Sequence, residues 1–126
     1  MYPAGLKYSR DHFWVKDEGN GRVRIGITYH YKEQLQKIIF IELPKAGAGI
    51  KSGEPFGSIE SSKTISDMIS PVTGKVIEIN SALQDKPDLI SKEPYDSGWL
   101  VVMKMSDPQE INSLMSAADY EALVSK

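Results

Sequence analysis

The sequence predicts a mainly β fold, a flattened barrel or sandwich of short strands with short helices and a helical C-terminal extension. Many short runs are rich in β-branched and aromatic residues, glycine turns separate them, and several runs alternate apolar and polar positions. Closing or doubling a sheet hides its strand edges, which favours a barrel or sandwich over an open sheet. At 126 residues the chain fits one domain, 1–126.

The first predicted element is a β-hairpin. Segments 13–16 and 22–27 are typical of strands, and the turn residues between them include Asn20-Gly21, a strong hairpin signal. Thr28 is a predicted N-cap for a helix through Leu35, because its hydroxyl can accept a hydrogen bond from a first-turn amide.

The middle of the chain is predicted to add further strands, the first ending before Pro44. They span 38–41, 56–60, 65–69, 75–79 and 99–103. Several of their residues, with Trp14, are predicted to fill the core of the barrel. These are Trp99, Phe40, Ile59, Ile69, Val76, Ile79 and Leu100.

The C-terminal tail is predicted to be helical. Asp107, Pro108 and Glu110 form a capping-box-like start, with an N-cap, a first-turn proline and an acid at the third position. A second start at Ser116 precedes three apolar residues spaced to face one side. These are Tyr120, Leu123 and Val124.

The composition excludes several classes of function. A net charge of −2 does not predict a nucleic-acid partner. No apolar run approaches about 18 residues and the N-terminus has no targeting pattern, so we expect a cytoplasmic protein without a membrane partner. The chain has no cysteine, which excludes disulfides, thiolate zinc sites and cysteine nucleophiles. Any redox chemistry must therefore come from an added group.

Lys63 is the candidate for attaching such a group. It lies in Glu60-Ser61-Ser62-Lys63-Thr64, between two predicted strands of similar length. A covalently modified lysine must be exposed and yet presented on a rigid neighbourhood that a modifying enzyme recognises. A tight hairpin provides both, whereas a lysine taken without this context would be one more solvated surface residue.

The sequence resembles lipoyl domains, and over nearly its whole length it is similar to the glycine cleavage H-protein family. The segments that carry this resemblance are Leu6-Lys7-Tyr8, Trp14-Val15, Gly26-Ile27-Thr28, Phe40-Ile41-Glu42-Leu43-Pro44, Glu60-Ser61-Ser62-Lys63, Ser66-Asp67, Ser70-Pro71-Val72-Thr73-Gly74, Asn80, Pro94-Tyr95 and Gly98-Trp99. The resemblance implies a lipoyl-type barrel-sandwich and a carrier without catalytic residues of its own.

The resemblance also implies the site. Lipoic acid would be attached covalently to Lys63 by a lipoate ligase or lipoyl transferase, with Glu60 and Gly74 as the positions that such enzymes recognise. Asp67 would lie near the loaded arm. We predict that Gly74 permits a turn that a side chain would strain. The Glu60 and Asp67 pair does not indicate acid–base catalysis, because no substrate pocket is evident around the turn.

Two other patterns are weaker. Lys104 stands in a Met-Lys-Met triplet like that of biotin carriers, but it is predicted to lie at a strand end without a returning strand. His12 and His30 lack the spacing of a metal site, and we predict no bound metal.

Some residues depart from the resemblance and affect the predicted pathway. Phe13 replaces a glutamate that holds the loaded amine in the family, Tyr29 replaces an aspartate, and Gln36-Lys37 replaces Gly-Asp, while Asp67 is kept. We therefore favour a carrier for a heterodisulfide-reductase-like complex of sulfur oxidation. The alternative is the glycine cleavage system, with glycine decarboxylase, aminomethyltransferase and dihydrolipoyl dehydrogenase as partners.

Two hypotheses from other classes remain open from the residues alone. A Schiff-base enzyme would need a lysine whose pKa is lowered by burial or a nearby cation, which a hairpin tip does not provide. An interaction module that is never modified would be distinguished by the absence of added lipoyl mass on Lys63.

Overall fold

The computed structural model describes residues 2–125, and its strands form two antiparallel sheets. Within this range the strands are β1 (Lys7–Tyr8), β2 (Phe13–Gly19), β3 (Arg22–Ile27), β4 (Ile38–Glu42), β5 (Gly49–Ile50), β6 (Pro55–Ser61), β7 (Ile65–Ile69), β8 (Gly74–Ile79) and β9 (Val101–Met105). The larger sheet has the order β1-β2-β3-β9-β8-β5, and the smaller has the order β4-β6-β7. No strand pairing joins the two sheets in the described part of the chain. The fold is therefore the predicted sandwich type.

The first hairpin forms as the sequence predicts. Asn20 and Gly21 both have positive φ, 57° and 77°, as a tight turn between right-twisted strands requires. Trp14 pairs across the hairpin with Gly26, where a Cβ would lie 2.5 Å from the indole ring. Glycine at this position therefore makes room for the buried tryptophan.

The helices are short. They are α1 (Tyr29–Leu35), α2 (Ala82–Asp85), α3 (Leu89–Lys92), a 3-10 helix (Pro108–Ser113) and α4 (Ala117–Val124). Thr28 caps α1 by accepting from the Tyr31 amide, and Ser116 caps α4 by accepting from the Asp119 amide, as predicted. No helix formed by residues 2–125 is long and apolar enough to cross a membrane.

Two hydrophobic clusters hold the elements in place. The larger one lies between the sheets and takes buried residues from both, including Ile25 and Ile59. The smaller cluster, Tyr8, Trp14 and Tyr120, packs α4 against the other face of β1 and β2. The Trp14 indole donates to the Pro94 carbonyl at 2.7 Å, which satisfies its buried N–H.

Several predicted core positions are wrong in detail. Trp14 and Trp99 belong to the smaller cluster and do not fill the space between the sheets, and Trp99 is only partly buried. Phe40 is 48% exposed, because a register shift between Ile38 and Phe40 breaks the alternation of β4. The predicted interior residues Ile59, Val76 and Leu100 are fully buried, whereas Ile69 and Ile79 are partly buried.

The tail also differs from its prediction. The segment after Asp107 is a 3-10 helix, and the Asp107 carboxylate accepts from the Gln109 amide. The Glu110 carboxylate does not reach back to the N-cap, since it accepts from the Thr73 amide and hydroxyl. The capping-box interpretation of Glu110 is therefore wrong, because a contact distant in sequence takes its carboxylate.

Candidate functional site

Lys63 lies at the tip of the β6–β7 hairpin, where the sequence places it. The Ser61 amide donates to the Thr64 carbonyl at 2.8 Å and closes the turn. The Ser61 hydroxyl, on a side chain that is almost completely buried, accepts from the amides of Lys63 and Thr64 at 3.2 Å each. The backbone of the tip is therefore fixed from below, while the Lys63 side chain is exposed.

A neighbouring strand supports the same tip. The Ser62 amide donates to the Lys37 carbonyl at 2.9 Å, just before β4 begins, and Ile38 pairs with Ser61. The salt bridges formed among residues 2–125 leave the Lys63 ammonium unpaired. The geometry thus presents a primary amine on a rigid backbone, with no side chain competing for it by an ion pair.

Glu60 and Asp67 lie on the outward face of the smaller sheet. Glu60 pairs with Ile65 in β7, and Asp67 pairs with Ser58 in β6. Glu60 is half-buried and Asp67 is exposed. The structure therefore brings Glu60 beside the hairpin tip and sets Asp67 two cross-strand pairs farther from it.

Gly74 lies elsewhere. It begins β8 in the larger sheet. It is separated from Lys63 by β7, a strand of five residues that spans roughly 17 Å. A Cβ on Gly74 would lie 2.1 Å from the Lys104 carbonyl oxygen, and Gly74 is not among the residues with positive φ. The predicted turn strain is therefore wrong as a reason for this glycine. The close approach of β9 requires it instead.

Phe13 in β2 and Tyr31 in α1 contact each other at the main hydrophobic core. Phe13 is 1% exposed and packs edge-on against the Tyr31 ring, with centroids 5.6 Å apart. Burial raises the pKa of Tyr31, contact with the Ser66 hydroxyl opposes this, and the negative charges of Asp11 and Asp67 raise it further. Two carboxylates on different segments of the chain thus influence the Tyr31 hydroxyl, which sequence reasoning missed.

The structure brings His12 and His30 together, although their spacing in the chain is not that of a metal site. Their ring centroids are 4.7 Å apart, and His12 Nδ1 lies 2.8 Å from the Tyr120 hydroxyl. Burial lowers the pKa of His12, and the nearby His30 lowers it further. No cluster of three or more His, Cys, Asp or Glu side chains with metal-binding geometry occurs in the described range.

Lys104 occupies a different setting from Lys63. It lies in β9, which is interior to the larger sheet, and pairs with Arg22 on one side and Lys75 on the other. Its ammonium contacts the Asn20 carbonyl. It is one residue from the end of the strand, as predicted, and it has strand neighbours on both sides but no hairpin tip of its own.

The comparisons with known proteins agree on one family. A family model described as Glycine cleavage H-protein matches residues 6–126. A glycine cleavage system H protein from Brevibacillus brevis is 48% identical over 123 residues, covering 98% of this chain and 97% of the relative. One from Vibrio cholerae is 49% identical over 119 residues, covering 94% of each chain.

A solved structure supports the same assignment. The crystal structure of a glycine cleavage system H protein from Mycobacterium marinum superposes with a TM-score of 0.89 at 33% identity, covering 98% of this chain and 99% of that one. These findings favour the glycine-cleavage interpretation over the sulfur-oxidation interpretation that the sequence departures suggested. The chain belongs to the glycine cleavage H-protein family.

Proposed function

We propose that the chain is a lipoyl carrier of the glycine cleavage system, modified at Lys63. The observation that carries this proposal is the exposed Lys63 ammonium on a turn whose backbone is held by the buried Ser61 hydroxyl. The chain is a carrier and not an enzyme.

The residues at the tip fit a covalent lipoyl group. Lys63 Nζ projects from the turn without a salt-bridge partner, and its flanking residues Ser62 and Thr64 are small and exposed. Nζ would attack the activated lipoyl carbonyl, so that an amide bond forms, the bond to the activating group breaks and the nitrogen loses a proton. The bound group supplies a disulfide–dithiol pair that carries two electrons or a thiol-linked fragment.

The chain's own residues then hold and present the modified lysine. Because the Ser61 and Ser62 contacts fix the turn, the tip offers each partner enzyme the same geometry at a high effective concentration. The proposed modifying enzyme is a lipoate ligase or lipoyl transferase, which would contact Glu60. Gly74 would contribute indirectly, by allowing the β8–β9 contact on which the carrier fold depends.

Charge beside the hairpin is compatible with an aminomethyl cargo. Asp67 is exposed on the outward face of β7, two cross-strand pairs from the hairpin tip. An ammonium on the loaded arm near Asp67 would be attracted to its carboxylate. Asp67 therefore remains the proposed residue near the loaded arm. Glycine decarboxylase, aminomethyltransferase and dihydrolipoyl dehydrogenase are the partners that this pathway requires.

Two of the three departures that favoured a sulfur pathway, Phe13 and Tyr29, have local structural explanations. Phe13 fills the core beneath Tyr31. The Tyr29 amide donates to the Tyr95 hydroxyl, and the Tyr29 ring lies under the Lys32 ammonium at 4.8 Å. These substitutions are thus accounted for by packing, and they supply no separate support for a sulfur cargo.

A reconstituted glycine cleavage assay tests the pathway. Lipoylated chain, glycine decarboxylase, aminomethyltransferase and dihydrolipoyl dehydrogenase should release CO₂ and ammonia from glycine in the presence of NAD⁺ and tetrahydrofolate. Lys63→Arg, which keeps the charge but cannot be lipoylated in the same way, should give no turnover. If the fully lipoylated chain is inert while an authentic H protein at matched lipoylation is active, the glycine-cleavage assignment is wrong.

A further inference from the structure

The outward face of the smaller sheet carries large apolar side chains in contact with water. Ile65 is 68% exposed and Phe40 is 48% exposed. Phe40 pairs with Glu60, and Glu60 pairs in turn with Ile65, so the three side chains form one row across β4, β6 and β7. Ile65 is two residues from Lys63 in the chain. This row, with apolar side chains at both ends and Glu60 between them, therefore begins beside the candidate modification site.

A second row on the same face is polar and acidic. Glu42 pairs with Ser58, and Ser58 pairs with Asp67. We call the two rows together the hairpin face, which consists of Phe40, Glu42, Ser58, Glu60, Ile65 and Asp67. It contains three carboxylates and no basic side chain. A complementary surface would place apolar groups against the first row and basic groups around it.

We propose that the hairpin face is the surface by which the unmodified chain docks on the enzyme that attaches lipoic acid to Lys63. The proposed partner presents an apolar patch bordered by arginine or lysine side chains. This inference rests on the proposed function.

The geometry of the modification selects this partner. An enzyme that acylates Nζ must bring that atom into its own active site, so it has to cover the residues immediately beside the hairpin tip. Ile65 and Glu60 are those residues, each within three positions of Lys63. Enzymes that act later meet the far end of a long arm and do not need to cover the tip. Exposed apolar area next to Lys63 is therefore best explained by the enzyme that acts at Nζ.

The chain provides a matched control on its other sheet. Ile77 in β8 is 38% exposed and, like Ile65, is an isoleucine on a strand that faces solvent. Replacing either by threonine keeps the β-branched shape that strands favour and removes apolar contact area. Differences between Ile65→Thr and Ile77→Thr therefore report on position and not on the chemistry of the substitution.

The test measures initial rates of lipoylation of the apo chain by a purified lipoate ligase with lipoic acid and ATP, followed by intact mass. We expect Ile65→Thr to lower kcat/KM by about tenfold, and Phe40→Thr with Ile65→Thr to lower it further, because buried isoleucine and phenylalanine area is lost at the contact. Ile77→Thr should match the wild type. Glu60→Gln should lower the rate and weaken its dependence on salt. Circular dichroism should show unchanged folding in all variants.

The outcomes separate this inference from the proposed function. Wild-type chain that gains no lipoyl mass on Lys63 would contradict the proposed function itself. If the wild type is modified and the Phe40→Thr, Ile65→Thr double variant is modified at the same rate, only the docking inference is wrong. A double variant that is lipoylated normally but fails to transfer aminomethyl would assign the face to a later enzyme and would equally overturn the inference.

Discussion

The Glu110 carboxylate accepts hydrogen bonds from both the amide and the hydroxyl of Thr73, at 2.6 and 3.0 Å. This contact ties the 3-10 helix to the loop that leads into β8. Since one carboxylate satisfies two donors, Glu110→Ala should lower the free energy of unfolding by about 1–2 kcal/mol. Urea denaturation measures the change. Gln109→Ala, on the exposed neighbour, should change stability little, and equal losses in both variants would contradict the assigned role of Glu110.

Gly74 should be required for folding more than for recognition. In Gly74→Ala the new Cβ would lie 2.1 Å from a backbone oxygen of β9, so a strand must shift, which we expect to cost about 1–3 kcal/mol or more. Gly49→Ala is the control, because Gly49 lies in the adjacent strand β5 with open space around it. Thermal denaturation should separate the two variants. A Gly74→Ala chain as stable as Gly49→Ala but poorly lipoylated would restore a direct recognition role.

The Phe13→Glu variant should have a lower free energy of unfolding than the wild type, and its glutamate should not form an ion pair with a loaded amine. The side chain at this position is 1% exposed. The variant would therefore lose the aromatic packing of Phe13 against Tyr31 and Phe56, and it would bury the charge of the glutamate. We expect a loss of about 3 kcal/mol or more, compared with about 1 kcal/mol for Phe13→Leu. A urea midpoint for Phe13→Glu equal to that of the wild type would show that the position is accessible to solvent.

His12 should make stability dependent on pH. Its folded pKa lies below the ordinary value of 6.5, first because of burial and then because of His30, while Asp11 acts in the opposite direction. The unfolded chain therefore binds more protons between the two pKa values. The free energy of unfolding should therefore decrease as the pH falls from 6.5 through the lower pKa that His12 has in the folded chain.

His12→Asn tests this dependence. Asparagine tolerates the positive φ of 76° at this position, and its amide does not titrate in this range. Unfolding free energies measured from pH 7.5 down to 5 should fall less steeply for His12→Asn than for the wild type. Parallel pH profiles would exclude His12 as the source of the slope.

The sequence predicted the elements whose signals are local. The Asn20-Gly21 turn, the Thr28 cap and the Ser116 cap each depend on a few consecutive residues, and each forms as expected. The hairpin around Lys63 was predictable for the same reason, because two alternating runs flank a short polar turn. Strands β1 and β5 were missed, since two residues are too few to show a pattern.

Contacts between distant segments could not be predicted from a single chain. The pairing of Glu110 with Thr73 joins residues far apart in sequence, and Glu110 has a local alternative as a capping residue. Phe40 was assigned to the core because its strand is apolar throughout, and the register shift that turns it outward has no sequence signal. Asp11, Asp67 and Tyr31 lie in separate segments of the chain, and periodicity does not show that both carboxylates raise the pKa of Tyr31.

Lys63 is the proposed lipoyl attachment site, and one mass-spectrometric measurement tests this assignment directly. Wild-type chain, Lys63→Arg and Lys104→Arg are incubated with a lipoate ligase, lipoic acid and ATP, and their intact masses and proteolytic peptides are compared. We predict one lipoyl group on the wild type and on Lys104→Arg, located on the peptide that contains Lys63, and none on Lys63→Arg. A lipoyl group that is present on folded Lys63→Arg and absent from Lys104→Arg would contradict the assignment of Lys63.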